Sequence, residues 1–251
     1  MLKTEKIALL NRIACTINHD TRAGFVPGKT ERLDLIKELL KETGYNLTEV
    51  GLCHLYSKQP LDEIAEPITV LSSHIDTDRD ITKPFSEIRG EKKLCGTYDN
   101  SITNAAILSL MLDDRLPDTV VVAFTGNEEN GMKGADDLGD YLIKQHKKAN
   151  IIVTDVTHRG YKGKNVFSLE NCCRSGEWTD HVKEVMAGSD FKGKFAQNDE
   201  NDETCSYDDH GFECFSFCIP TKGEMHDNSG LKTRISTYDK YVEALCMAAC
   251  A

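Results

Sequence analysis

ITVLSSHID (68–76) and TVVVAFTGNEEN (119–130) carry the pattern that decides the fold, because each is an apolar, β-branched run that stops on imidazole or acidic side chains. NIIVTDV (150–156) and CFSFCIP (214–220) repeat it. Short continuous apolar runs of this kind suit strands covered on both faces. Helix-length segments lie between them, at 100–114 and 134–148, and a third, TYDKYVEALCMAACA (237–251), closes the chain. Strand and helix alternate, which predicts an α/β fold: a three-layer helix–sheet–helix sandwich around a mostly parallel mixed sheet, with right-handed crossovers. The functional crevice of such a sheet lies at the carboxyl ends of its strands.

Working outward, two amphipathic helices open the chain. The first carries Leu2, Ile7, Leu10, Ile13 and Ile17; the second, over 31–42, carries Leu33, Ile36, Leu39 and Leu40 and stops near Gly44. NVFSLEN (165–171) reads as a further strand, GEWTDHVKEVMAG (176–188) as a helix, and AQNDENDETCSYDD (196–209) as an exposed loop leading into a short helix. With no Gly/Ser/Pro-rich linker or internal repeat, residues 1–251 are expected to form one domain.

The formal charge of −11 disfavours nucleic acid and anionic membranes as partners. No run approaches the ~18 apolar residues of a membrane span, and the N-terminus lacks the apolar core of a secretory signal, so a cytoplasmic protein is expected. The ten cysteines are then expected as reduced thiols, with Cys214, Cys218, Cys246 and Cys250 as small core residues and Cys172–Cys173 as a weaker redox candidate.

The strand ends deliver His74 and Asp76, Glu128 and Glu129, and Asp155; the segment after CFSFCIP leads to His226, and Asp99 sits where a loop enters a helix. Singly, each has an ordinary explanation as a cap, turn former or surface residue. Together, Asp99, Glu128, Glu129 and Asp155 would crowd four acids into one crevice, a repulsion that cations would relieve. Two divalent ions carry four positive charges, which three carboxylates and a hydroxide cancel, leaving Glu128 free to carry a proton.

In order and context these motifs resemble the co-catalytic dizinc exopeptidases: the bacterial, glutamyl and tetrahedral aminopeptidases and their aminoacylase and carboxypeptidase relatives. The likeness spans roughly residues 68–235, and VTDVTH and PTKGEMHDNSG look most like the tetrahedral branch. The resemblance implies a zinc-exopeptidase-like fold with His74 and Asp155 on one metal, Glu129 and His226 on the other, and Asp99 bridging. Asp76 would hydrogen-bond the His74 imidazole and Glu128 would act as general base. The implied cofactors are two divalent ions, zinc by resemblance, with cobalt or manganese suiting the same nitrogen and oxygen ligands. The implied activity is an aminopeptidase acting on short peptides; an acyl-amino-acid amidohydrolase and a non-catalytic metal-binding module are the alternatives.

Only 22 residues separate Asp76 from Asp99, and 70 separate Asp155 from His226, so neither an inserted domain nor a dimerisation lid is expected, while an oligomer remains open. A cis Asp99–Asn100 peptide is expected from the resemblance. His158 and His210 are weaker candidates for lining the cleft, and Arg174 and Trp178 for touching substrate.

Overall fold

The computed structural model describes residues 1–19, 30–145, 147–174, 176–196 and 202–251. Its main sheet has eight strands: β1 (Asn46–Val50), β2 (Cys53–Ser57), β3 (Ile68–His74), β6 (Val120–Thr125), β7 (Ala149–Thr157), β8 (Phe167–Arg174), β9 (Gly193–Phe195) and β10 (Glu213–Pro220). Their order is β1-β2-β6-β3-β7-β10-β8-β9. The four central strands, β6, β3, β7 and β10, run parallel, whereas the β1–β2 hairpin and β8 join antiparallel. A second sheet pairs β4 (Ser86–Arg89) and β5 (Lys93–Gly96) with β11 (Lys222–Gly223) and β12 (Leu231–Arg234). The sequence reading does not contain the β1–β2 hairpin or this small sheet.

Each central strand is apolar throughout because it feeds two cores. Leu71, Val122, Phe124, Ile152, Phe215 and Phe217 belong to the core on one face; Val70, Val121, Ala123, Ile151 and Val153 belong to the other. That alternation is the period of two of a β-strand. Helices α1 (Lys3–Ala14), α2 (Glu31–Leu40), α3 (Ser101–Leu112), α5 (Glu177–Ala187) and α7 (Ile235–Ala249) supply the first core. Helices α4 (Lys133–Lys144) and α6 (Glu203–Asp209) cover the second. The expected helix–sheet–helix sandwich is therefore present.

Helix α3 is buried on nearly every side and contains no charged residue, so its Ser, Thr and Asn side chains must find partners inside the protein. Ser101 and Ser109 donate to carbonyls of their own segment, those of Thr97 and Ala105, whereas Thr103 and Asn104 reach Ser73 on β3. Asn104 Nδ2 donates to the His74 carbonyl at 2.9 Å and to Ser73 Oγ at 2.7 Å, while Asn100 Nδ2 donates to the Thr154 carbonyl at 2.7 Å. One buried helix thus fixes the carboxyl ends of β3 and β7.

Two expectations are corrected. The short helix expected at the end of 196–209 is present as α6, but Asp202 and Glu203, where the chain enters it, are buried rather than exposed; residues 197–201 lie outside the described residues. Cys246 is half-buried and Cys250 exposed, because their helical face lies at the outer end of α7, whereas Cys214 and Cys218 are buried as expected. The side chains of Cys172, Cys173 and Arg174 also lie outside the described residues. Among the described residues no helix is long and apolar enough to cross a membrane.

Candidate metal centre

His74 ends β3 with its ring buried, and Asp155 lies near the end of neighbouring β7. Asp99 precedes α3 through a cis peptide to Asn100, as expected. Asn100 occupies the N-cap position, which leaves the Asp99 carboxylate free to face the cleft. The glutamate pair is not on an extended segment: after Asn127 in the left-handed region (φ 66°), Glu128–Asn130 forms a single 3-10 turn. The turn is held from behind by Gly126 and Gly134, where a Cβ on Gly134 would come within 2.5 Å of the Gly126 nitrogen. His226 follows β11 in a loop anchored by Asn228, whose Oδ1 accepts the N–H groups of Thr82 and Lys83 at 3.0 and 2.8 Å.

These elements converge on Asp99. His74 Nε2 lies 3.2 Å from Asp99 Oδ1 and 3.8 Å from Asp155 Oδ1. His226 Nε2 lies 3.6 Å from Asp99 Oδ2 and 3.5 Å from Glu129 Oε2. Asp76 Oδ1 stands 3.3 Å from His74 Nδ1 but without hydrogen-bond alignment, so the contact is electrostatic rather than the expected hydrogen bond. The other Asp76 oxygen accepts the Glu129 N–H at 3.1 Å. All seven residues singled out from sequence therefore meet in one place. Asp78, which sequence reading did not select, joins Glu129 and His226 as a further group able to hold a cation.

The electrostatics follow from crowding. Burial, with Asp155, Asp99 and Glu129 adding to it, pushes Glu128 up to about 9 despite the opposing His74. Burial and Asp99 push Glu129 to about 8, and the same two causes hold Asp155 at about 6. Burial would raise Asp99 too, but His226 and His74 on its two oxygens keep it below the usual carboxylate range. The close contact with Asp99 raises His226 to about 9; burial disfavours the His74 cation, yet the carboxylates around it, led by Glu128, lift it well above its ordinary value. Such a set of mutually opposed acids, with Glu129 Oε1 buried and without a hydrogen-bond partner, fits divalent cations. His74 with Asp99 and Asp155, His74 with Glu128 and Glu129, and Asp78 with Glu129 and His226 each bring three donor atoms within 4.8 Å of one another.

The cleft above this cluster measures about 370 Å³ and continues past Val156 and Cys218 to Glu170, Asn171 and Asp202. The other candidates lie elsewhere. His158 is exposed, and His210 sits between α6 and α4 with Nε2 3.3 Å from Asp140. Trp178 packs against Phe215 at a 5.1 Å ring separation.

The sequence profile of Peptidase family M28 matches residues 56–235. The chain belongs to peptidase family M28. Membership makes it a peptide-bond hydrolase of a metal-dependent family. A search of curated protein sequences returns no match. Among solved structures, this M28 peptidase is similar to a TET aminopeptidase from a marine sediment Thaumarchaeota archaeon, with 11% identity, TM-score 0.77, and 97% of this chain and 96% of that one covered. It is similar to the Pyrococcus horikoshii TET1 peptidase, which assembles into a tetrahedron or a large octahedral shell (13% identity, TM-score 0.72, 99% of each chain). It is similar as well to the Legionella pneumophila LapA aminopeptidase (11% identity, TM-score 0.70, 99% of this chain and 70% of that one). At these identities the likeness establishes the fold.

Proposed function

We propose that this M28 peptidase is a two-metal aminopeptidase that removes the first residue of short peptides. The observation that carries the reading is the division of Asp99 between two histidines, His74 on Oδ1 and His226 on Oδ2, which suits a carboxylate shared by two cations. His74 and Asp155 would hold one ion, Glu129 and His226 the other, and Asp99 both; nitrogen and oxygen donors suit zinc, with cobalt or manganese next. When bound, such ions acidify a water and polarise the scissile carbonyl.

The chain's own residues do the rest. Glu128, half-buried beside the ligands but assigned to neither ion, takes a proton on its carboxylate from the attacking water and returns it to the leaving amine nitrogen. Asp76 sets the His74 ring and the Glu129 backbone at once. Residues 1–251 act as one catalytic unit, a reading supported by the packing of α1 and α7 against α3. Free thiols at Cys15, Cys53, Cys95, Cys218, Cys246 and Cys250 support a reducing, cytoplasmic setting. Self-assembly belongs to the same proposal and is supported by the shells named for the TET1 relative.

The test is metal content measured together with release of an amino acid from peptides with a free N-terminus. Two equivalents of metal and N-terminal release support the reading; hydrolysis of N-acylated substrates in preference to N-free ones would replace it with an acyl-amino-acid amidohydrolase.

A further inference from the structure

The two halves of the proposed metal site differ in exposure. The His74 side chain is 2% exposed and that of His226 57%, so the second position is held by a residue open to water. With Asp99 shared, each ion would otherwise have one imidazole and two carboxylates. Asp78 breaks that equality: one of its carboxylate oxygens, one of Glu129 and a ring nitrogen of His226 lie within 4.8 Å of one another.

Asp78 is brought there by two braced loops. After β3, Thr77 donates its N–H to the Asn18 carbonyl at 2.8 Å. Asp78 then opens a turn in which its carbonyl accepts the Ile81 N–H at 3.0 Å and its Oδ1 the Asp80 N–H at 2.7 Å. Asn228 ties this turn to the loop of His226: Oδ1 accepts from Thr82 and Lys83, and Nδ2 donates to the Asp80 carbonyl at 3.0 Å. On the His226 side, Asp227 Oδ1 accepts the Ser229 N–H at 2.6 Å. Gly230, at φ 69°, packs so tightly that a Cβ would come within 2.5 Å of the Gly96 carbonyl oxygen. The backbones that carry Asp78 and His226 are thus fixed relative to each other.

We propose that Asp78 is a fourth protein ligand of the ion held by Glu129, His226 and Asp99, which makes the two metal positions unequal and tightens the hold on the more exposed one. The inference rests on the two-metal reading. A carboxylate offers about four lone-pair sites, so the bond to the Asp80 N–H leaves Asp78 able to bind a cation. Glu129 suits the same ion: Oε2 lies 3.5 Å from His226 Nε2, and Oε1 is buried without a hydrogen-bond partner. Asp78 does not line the substrate cleft; it borders a separate cavity of about 200 Å³ that shares Glu129 with it. A donor from that direction leaves the cleft free for substrate, and zinc can take a fifth ligand, so the attacking water keeps its place.

Two substitutions separate a ligand from a turn former. Asp78→Asn keeps an oxygen for the Asp80 N–H and removes the charge, while Asp78→Cys exchanges the oxygen donor for a thiolate. Metal-free protein is titrated with zinc against a competing chelator, and the cobalt(II) forms are compared by absorption. Asp78→Asn should weaken one of two zinc equivalents by about a hundredfold or more, beyond the usual effect of a group that only orients a ligand, and leave the other nearly unchanged. The cobalt form of Asp78→Cys should gain a thiolate-to-metal charge-transfer band that the cobalt form of the wild type lacks. Unchanged affinity of both equivalents in Asp78→Asn, or no new band in Asp78→Cys, would overturn the ligand role. If the wild-type protein takes up a single equivalent, the two-metal reading fails, and the affinity of that equivalent in Asp78→Asn still decides the role of Asp78; no uptake at all would overturn both.

Discussion

The carboxylate of Asp76 accepts the backbone N–H of Glu129 at 3.1 Å. Its second oxygen stands 3.3 Å from His74 Nδ1, so one buried acid couples a residue from each half of the proposed metal site. Groups that orient metal ligands typically contribute 10- to 100-fold to affinity or activity. We therefore expect Asp76→Asn, which keeps the shape and removes the charge, to fold normally and to lose about 10- to 100-fold in zinc affinity. Titration against a competing chelator reads this directly, and an affinity within twofold of wild type would remove Asp76 from the positioning role.

In the metal-free protein burial and the neighbouring acids hold the proton on Glu128 up to about 9; cations bound beside it would lower that value and free the carboxylate for the proposed role of proton acceptor. Glu128→Gln should retain two equivalents of metal and lose about 10²- to 10⁴-fold in kcat, the usual contribution of a general base. Full activity in the metal-replete variant would reassign the base; loss of one metal equivalent would make Glu128 a ligand.

The crowded acids also make stability depend on pH in a particular direction. In the metal-free protein Glu128, Glu129 and His226 keep protons up to about 9, 8 and 9, whereas in the unfolded chain Glu and His release them near ~4.3 and ~6.5. Between these limits the folded state binds more protons than the unfolded one, so stability falls as pH rises. Asp99 has the opposite sign, but its contribution is lost only as pH drops below the ordinary aspartate range. Thermal melts of metal-free protein should decline from pH 5 to pH 9, and zinc should flatten the decline, because metal replaces the protons. A metal-free melting temperature that rises across that range would contradict proton retention by Glu128, Glu129 and His226 in the folded state.

What the sequence shows and hides has physical reasons. His74 and Asp155 are legible because each ends an apolar run, and a doubly covered strand has few other places for a charge. The β1–β2 hairpin is not, since NLTEV is almost wholly exposed and has no apolar periodicity. Asp202 and Glu203 read as a polar loop because their burial is a long-range event: α6 folds back over β8 and β10, and the Ser72 hydroxyl donates to Glu203 Oε2 at 2.9 Å. The 3-10 turn of the glutamate pair depends on Leu52, whose carbonyl accepts the Gly126 N–H from a distant strand end. Chemistry-bearing residues were thus visible where local pattern constrained them, and the far end of the cleft was not.

Arg32 supplies the last expectation. It is fully buried on α2, donates to the carbonyls of Ile75 at 3.0 Å and Thr16 at 3.2 Å, and lies within the field of Asp76, Asp99 and Glu129. Burial lowers it to about 10, yet it stays charged at neutral pH, placing a fixed cation behind the acid cluster. Arg32→Met keeps much of the volume but strips the buried Ile75 carbonyl and the part-buried Thr16 carbonyl of their donor, which should cost about 3 kcal/mol of stability. It also removes a charge that favours ionised site carboxylates, so the pH at which zinc binding reaches half its maximum should move upward. A variant that melts like wild type and binds zinc with the same pH profile would show that this buried guanidinium neither braces the strand end nor tunes the site.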